Sequence, residues 1–194
     1  MTATRNRGRN RGQSPIILAA LAVAFSFPAA LPAQTEESRT LELEDGERIA
    51  YTLRRHPADA HVARPDRELA PTSALDAAKL LNLHLSTGDI EEAALLSNAP
   101  RRRFEVLRDY RQAVGEEEFK RVFAQYFFPE NRLLAEVAIG AQRLLIWELK
   151  NAGHLAGQFF VEVEGRYLMN DVPGEERTQL RRVLDAWRAG RIRD

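Results

Sequence analysis

Hydrophobic positions along this chain follow two periods. From Ser73 to Tyr126 they recur every three to four residues. Ser73 is a candidate N-cap for a dense Leu/Ala helix, "ALDAAKLLNLHL", that Gly88 ends. A short helix is expected over Asp89–Leu96. "PRRRFEVLRDYRQAV" puts Phe104, Leu107, Tyr110 or Arg111, and Val114 on one stripe, and Gly115 breaks it. "EEEFKRVFAQYF" then sets Phe119, Val122, Phe123 and Tyr126 at amphipathic spacing, with three glutamates in the first turn, where the helix dipole favours them. A last helix, Gly174 to Gly190, turns Leu180, Val183, Leu184 and Trp187 inward.

Elsewhere the period is two. "TLELEDGERIAYTL" predicts a hairpin around Asp45-Gly46, with Leu41 opposite Ile49 and Glu42 opposite Arg48. "RLLAEVAI" and "QRLLIWELK" flank Gly140-Ala141, which fits a type II′ turn. That register pairs Val137 with Leu144, Ala135 with Ile146, Glu136 with Leu145 and Leu134 with Trp147. Both faces are apolar, so cover on both sides is expected. In "FFVEVEGRYL" two registers compete. A three-residue loop, Val163–Gly165, pairs Glu162 with Arg166, Val161 with Tyr167 and Phe159 with Met169, giving one apolar face; it is preferred over a two-residue Glu164-Gly165 loop. Segregated helices and strands give an α+β fold: N-terminal helices on a curved antiparallel sheet, closed by a C-terminal helix.

Three segments follow. Residues 1–33 carry Arg5, Arg7, Arg9 and Arg11, then an apolar run and small residues before Gln34, the order of a secretory signal peptide. Residues 34–72 hold the first hairpin and a Pro-rich linker with Pro57, Pro65 and Pro71. Residues 73–194 form the α+β domain. An exported protein, periplasmic or extracellular, is expected. Membrane tethering as an accessory protein follows only if the leader is uncleaved.

Composition removes several chemistries. With no cysteine, disulfides, thiol nucleophiles and an acylated N-terminal cysteine are excluded. The leader takes four of the 28 basic residues and none of the 28 acidic ones, so the remainder has a net charge of −4, which argues against nucleic-acid binding. His56, His61, His84 and His154 have no metal-ligand spacing, and no phosphate-cradling glycine loop or G-x-S-x-G occurs. No metal or cofactor is expected.

The hairpin residues Val161, Glu164, Gly165 and Tyr167, with helices preceding long strands, resemble the nuclear transport factor 2-like superfamily, a cystatin-like α+β cone. The likeness spans Ser73 to Asp171. It implies a curled sheet around a pocket and dimerisation through the sheet; the closing helix and the added N-terminal hairpin depart from that pattern. Tyr126, Trp147, Phe160 and Tyr167 are the candidate pocket residues. The leading expectation is a binding or assembly module without a catalytic set, taking an apolar ligand or a protein partner, with a homodimer through the sheet. The alternative is a small isomerase or dehydratase with a strand carboxylate as base, Glu136 ahead of Glu148 and Glu162, and a tyrosine, Tyr167 or Tyr126, as donor. "PRRRFEVLRDYR" offers a cationic patch for a lipid headgroup, a glycan or an acidic partner, against a solvated helix face balanced by Glu105 and Asp109.

Overall fold

A computed structural model describes residues 1–2, 36–57, 61–150 and 153–192. The chain divides into two units, Met1–Ala33 and Gln34–Asp194, and the architecture below belongs to the second. The signal-peptide and uncleaved-anchor expectations fall outside the described residues.

Six antiparallel strands form one sheet in sequence order: β1 (Glu36–Glu42), β2 (Arg48–Arg55), β3 (Arg132–Ile139), β4 (Gln142–Leu149), β5 (His154–Val163) and β6 (Arg166–Met169). Between β2 and β3 come four helices: α1 (Ala74–Thr87), α2 (Ile90–Leu95), α3 (Pro100–Val114) and α4 (Glu116–Ala124), with a 3-10 turn at Gln125–Phe127. After β6 comes α5 (Glu175–Arg188). This is the expected α+β arrangement.

The sheet is covered on both faces, as the two-sided apolar pattern of β3 and β4 requires. On one side α1 to α4 pack Leu81, Ile90, Leu107 and Phe119 on Leu145, Trp147 and Phe160. On the other, Leu180, Val183, Leu184 and Ala186 of α5 pack on Ile49, Leu53, Val137, Leu144, Ile146 and Phe159. The sheet surface outside these layers includes Ser38, Thr40, Ala50 and Thr52 of β1 and β2, beside a groove of about 400 Å³. The first hairpin thus continues the same sheet, since Thr52–Arg55 pair with Ala138–Ala135. The boundary expected at 72/73 does not separate it from the rest. The linker is also tied down: Val62 is buried in the core and the Pro71 carbonyl accepts from Tyr167 N at 2.8 Å.

Local chemistry explains the ends. Ser73 Oγ accepts from Asp76 N (3.1 Å) and donates to its carboxylate (2.7 Å), a reciprocal cap for α1. The Leu41–Ile49, Glu42–Arg48, Val137–Leu144, Ala135–Ile146 and Glu136–Leu145 pairs form as expected. Trp147 instead faces Leu133, because a bulge absorbs Leu134, whose carbonyl accepts from His56 N at 2.9 Å.

The β5–β6 register corrects the expectation. Val163 pairs with Arg166, Glu162 with Tyr167, Val161 with Leu168 and Phe160 with Met169. The loop is the two-residue Glu164-Gly165, both with positive φ (51° and 76°), a type I′ turn. The single-apolar-face criterion assumed burial on one side only. Here both faces of β5 are covered, so adjacent Phe159 and Phe160 enter opposite cores.

The edge at β6 is closed. Met169 N donates to Leu96 O (2.7 Å) and Asn98 N to Met169 O (3.0 Å), so the segment after α2 runs alongside as a parallel bridge at Ser97. On β1's outer side no strand pairs among the described residues.

Candidate anion-binding site

The segment leaving β6, "NDVP", organises a site. Asp171 receives the Nε–Nη2 edge of Arg103 of α3, with Nε at 2.7 Å, and the Ser97 hydroxyl at 2.6 Å. Asp171 N donates to Asn98 Oδ1 (2.8 Å), Asn98 Nδ2 to Asn170 Oδ1 (2.9 Å), and Asn170 Nδ2 to Gln142 Oε1 on β4 (2.9 Å). Both members of the Arg103–Asp171 pair are only 16% exposed. This lattice fixes the start of α3 against the start of α5.

Between those two helices lies a pocket of about 320 Å³ lined by Arg102, Arg103, Val106, Asp171, Pro173, Arg177 and Arg181. Arg177 Nε donates to the Asn170 carbonyl at 3.0 Å, and Arg102 reaches the Asp171 carbonyl at 3.4 Å. Arg177 and Arg181, one turn apart on α5, lie over the Phe159 ring at 5.2 and 5.9 Å. Among the described residues Arg102, Arg177 and Arg181 form no ion pair, because the pocket's one carboxylate is already engaged by Arg103. Burial, then the charge of Arg181, pushes Arg177 below its ordinary value; Asp171 opposes this, and Arg103 and Arg102 add to it. Neither helix has a side-chain N-cap, and α3 has no acid in its first turn, where the dipole would favour one. The α5 residue Glu176 is turned away, its carboxylate lying against Gly140.

The residues singled out from the sequence lie elsewhere. Glu136 has its two carboxylate oxygens on two guanidiniums, Arg54 and Arg143, the latter at 3.6 Å, with 12% of its side chain exposed. Arg143 also lies 5.9 Å from the Tyr167 ring, whose hydroxyl donates to Glu162 at 3.2 Å. Glu136 and Tyr167 therefore do share one polar network across the sheet. It holds Glu136 as an ion-pair partner, whereas an isomerase or dehydratase base needs a carboxylate open to substrate. Burial raises the Tyr167 phenol, against the lowering effect of Arg143.

Tyr126, Trp147 and Phe160, expected as pocket walls, are core side chains. Trp147 and Phe160 are fully buried, Tyr126 stacks edge-on against Trp147 at 5.2 Å, and burial pushes the Tyr126 hydroxyl up to about 12. Within the core Gln158 Nε2 donates to Asn82 Oδ1 at 3.0 Å.

A second concavity, about 800 Å³, runs past Leu69, Pro71, Leu95 and Arg166, with His84 Nδ1 at 3.5 Å from Asp89. There Asp89 caps α2 by accepting from Glu92 N, and His84 sits in the last turn of α1, where the dipole favours a cation. Both residues have a structural task.

Arg102 and Arg103 belong to the cationic run noted in the sequence; Arg177 and Arg181 carried no such signal. Arginines at i and i+4 after a Pro-Gly helix start are the pattern that could have drawn notice to them. No family model, curated protein or solved structure matches this chain. The likeness to the nuclear transport factor 2-like superfamily rests on the quoted hairpin residues and on the order of helices before long strands.

Proposed function

We propose that the protein is an exported, non-catalytic binding module whose working surface is the arginine pocket between α3 and α5. One observation carries this reading: three guanidiniums without ion-pair partners among the described residues converge on a cavity whose single carboxylate is already engaged. Guanidiniums held against an aromatic face present their donor edges outward and suit oxyanions. The pocket holds no general base, since Asp171 is bound on both oxygens. Export rests on the leader, with a mature chain beginning at Gln34; the intact mass of the secreted protein tests it.

Calorimetric titration with sulfate and with inorganic phosphate at low ionic strength tests the binding reading. Binding at one site is expected, weakened at least tenfold in Arg181→Gln. Arg101→Gln should leave it unchanged, because Arg101 is 94% exposed and pairs with Glu105 outside the pocket. No saturable binding of either anion would refute the assignment.

A further inference from the structure

Resting on that anion-site reading, we infer that the pocket formed by Arg102, Arg177 and Arg181 takes a phosphomonoester, held by its dianionic phosphoryl group. The protein already shows what a carboxylate uses at this place. Asp171 is satisfied by the Nε–Nη2 edge of one guanidinium and by one hydroxyl. A second carboxylate would occupy one further guanidinium in its own plane and leave two unanswered.

A phosphoryl group differs in shape and charge. Its three terminal oxygens point to different directions, and its charge is near −2 at neutral pH. The donors here come from two walls, Arg102 from α3 and Arg177 with Arg181 from α5. With Arg103 they amount to four positive charges against the one negative charge of Asp171. A dianion offsets most of that excess, and a monoanion much less. Arg102 lies in the first turn of α3, whose uncapped start carries no acid and adds positive potential, whereas the first turn of α5, which holds Arg177, also holds Glu175 and Glu176, which offset its dipole. The cavity, about 320 Å³, is at the small end of ligand pockets, which run from roughly 300 to 1,000 Å³. That admits a phosphoryl group with a modest substituent, for which Val106 and Pro173 provide an apolar wall. Val106 is 54% exposed, so the wall opens to the surface.

A soluble phosphomonoester and the headgroup of phosphatidate present the same group. The test therefore has two arms on the exported protein. In the first, phenyl phosphate and benzoate are titrated calorimetrically at pH 8 and pH 5. The second phosphate ionisation lies near 6, and the guanidiniums stay charged throughout. Phenyl phosphate should bind at least tenfold tighter than benzoate at pH 8, and at least tenfold tighter at pH 8 than at pH 5. In the second arm, phosphatidylcholine vesicles are sedimented with added phosphatidate or added phosphatidylglycerol. Capture by phosphatidate vesicles alone, without binding of phenyl phosphate, supports the inference with a lipid source. Arg181→Gln should weaken whichever signal is found at least tenfold. The Arg181 side chain makes no hydrogen bond among the described residues and loses only its contact over the Phe159 ring, so this variant should lower the thermal midpoint by no more than about 4 °C. Equal binding of benzoate and phenyl phosphate, no change between the two pH values, or equal capture by phosphatidylglycerol overturns the phosphomonoester and leaves the anion site standing. No binding in either arm overturns both.

Discussion

His56 sits just past β2, beside the bulge of β3, and its Nε2 is buried without a hydrogen-bond partner. Burial, reinforced by the charge of Arg54, lowers its pKa from 6.5 to about 4. The folded imidazole therefore stays neutral where the unfolded one takes up a proton. The stability tied to this difference is complete above pH 6.5 and is lost as the pH falls toward 4, on the order of 1–3 kcal/mol in total. Urea unfolding measured between pH 7 and pH 4 should show that decline. His56→Gln should flatten it; an unchanged slope would remove His56 from the account. Nothing in the sequence around His56 marks it as buried, because it follows two arginines and precedes a proline. The arginine pocket was half legible for a related reason. Arg102 and Arg103 stand out in a run of three, but Arg177 and Arg181 reach them only through the Asp171 lattice, some seventy positions later.

At the scale of elements, α5 depends on one small residue. A Cβ at Gly157 would lie 2.4 Å from Leu184 Cδ2 and 3.1 Å from Leu144 Cδ1, so β5 lets the helix approach only because it has no side chain there. Gly157→Ala should cost about 1–3 kcal/mol in chemical denaturation, as overpacked cores do. Asp171 makes a different kind of link, joining the end of β6, the loop at Ser97 and α3. Asp171→Asn should destabilise by about 1–3 kcal/mol, because Arg103 loses its charged partner. The same change should strengthen anion binding, since it removes the pocket's negative charge and frees Arg103. A loss of both stability and anion affinity would contradict the division of labour between Asp171 and the other arginines. Turn residues made most elements readable: Asp45-Gly46 and Gly140-Ala141 announced their hairpins and registers. The Glu164-Gly165 hairpin hides its register, because alternation marks a register only where one face is wet, and β5 is covered on both.

For the whole molecule, one sheet serves two cores. Trp147 belongs to the core under α1 to α4, and Trp187 packs against the core under α5. Each side chain reports a different layer, yet both layers stand on the same strands. Single-tryptophan variants Trp147→Phe and Trp187→Phe should therefore unfold in urea with one transition each, read by either fluorescence or circular dichroism. In each variant the two probes should agree on the midpoint. Separate midpoints would mean that the layers come apart independently.

The two rims of the sheet are unequal. Beyond β6 the backbone groups are taken by Pro71, Leu96 and Asn98, while among the described residues no strand lies beside β1. A sheet with two free rims can add copies head to tail without limit, the geometry of a filament. With one rim sealed, two copies can meet only free rim to free rim, about a twofold axis. That contact uses up the only available strand on each, so growth stops at the pair. Closing β6 thus limits strand addition by this chain to a finite, symmetric product.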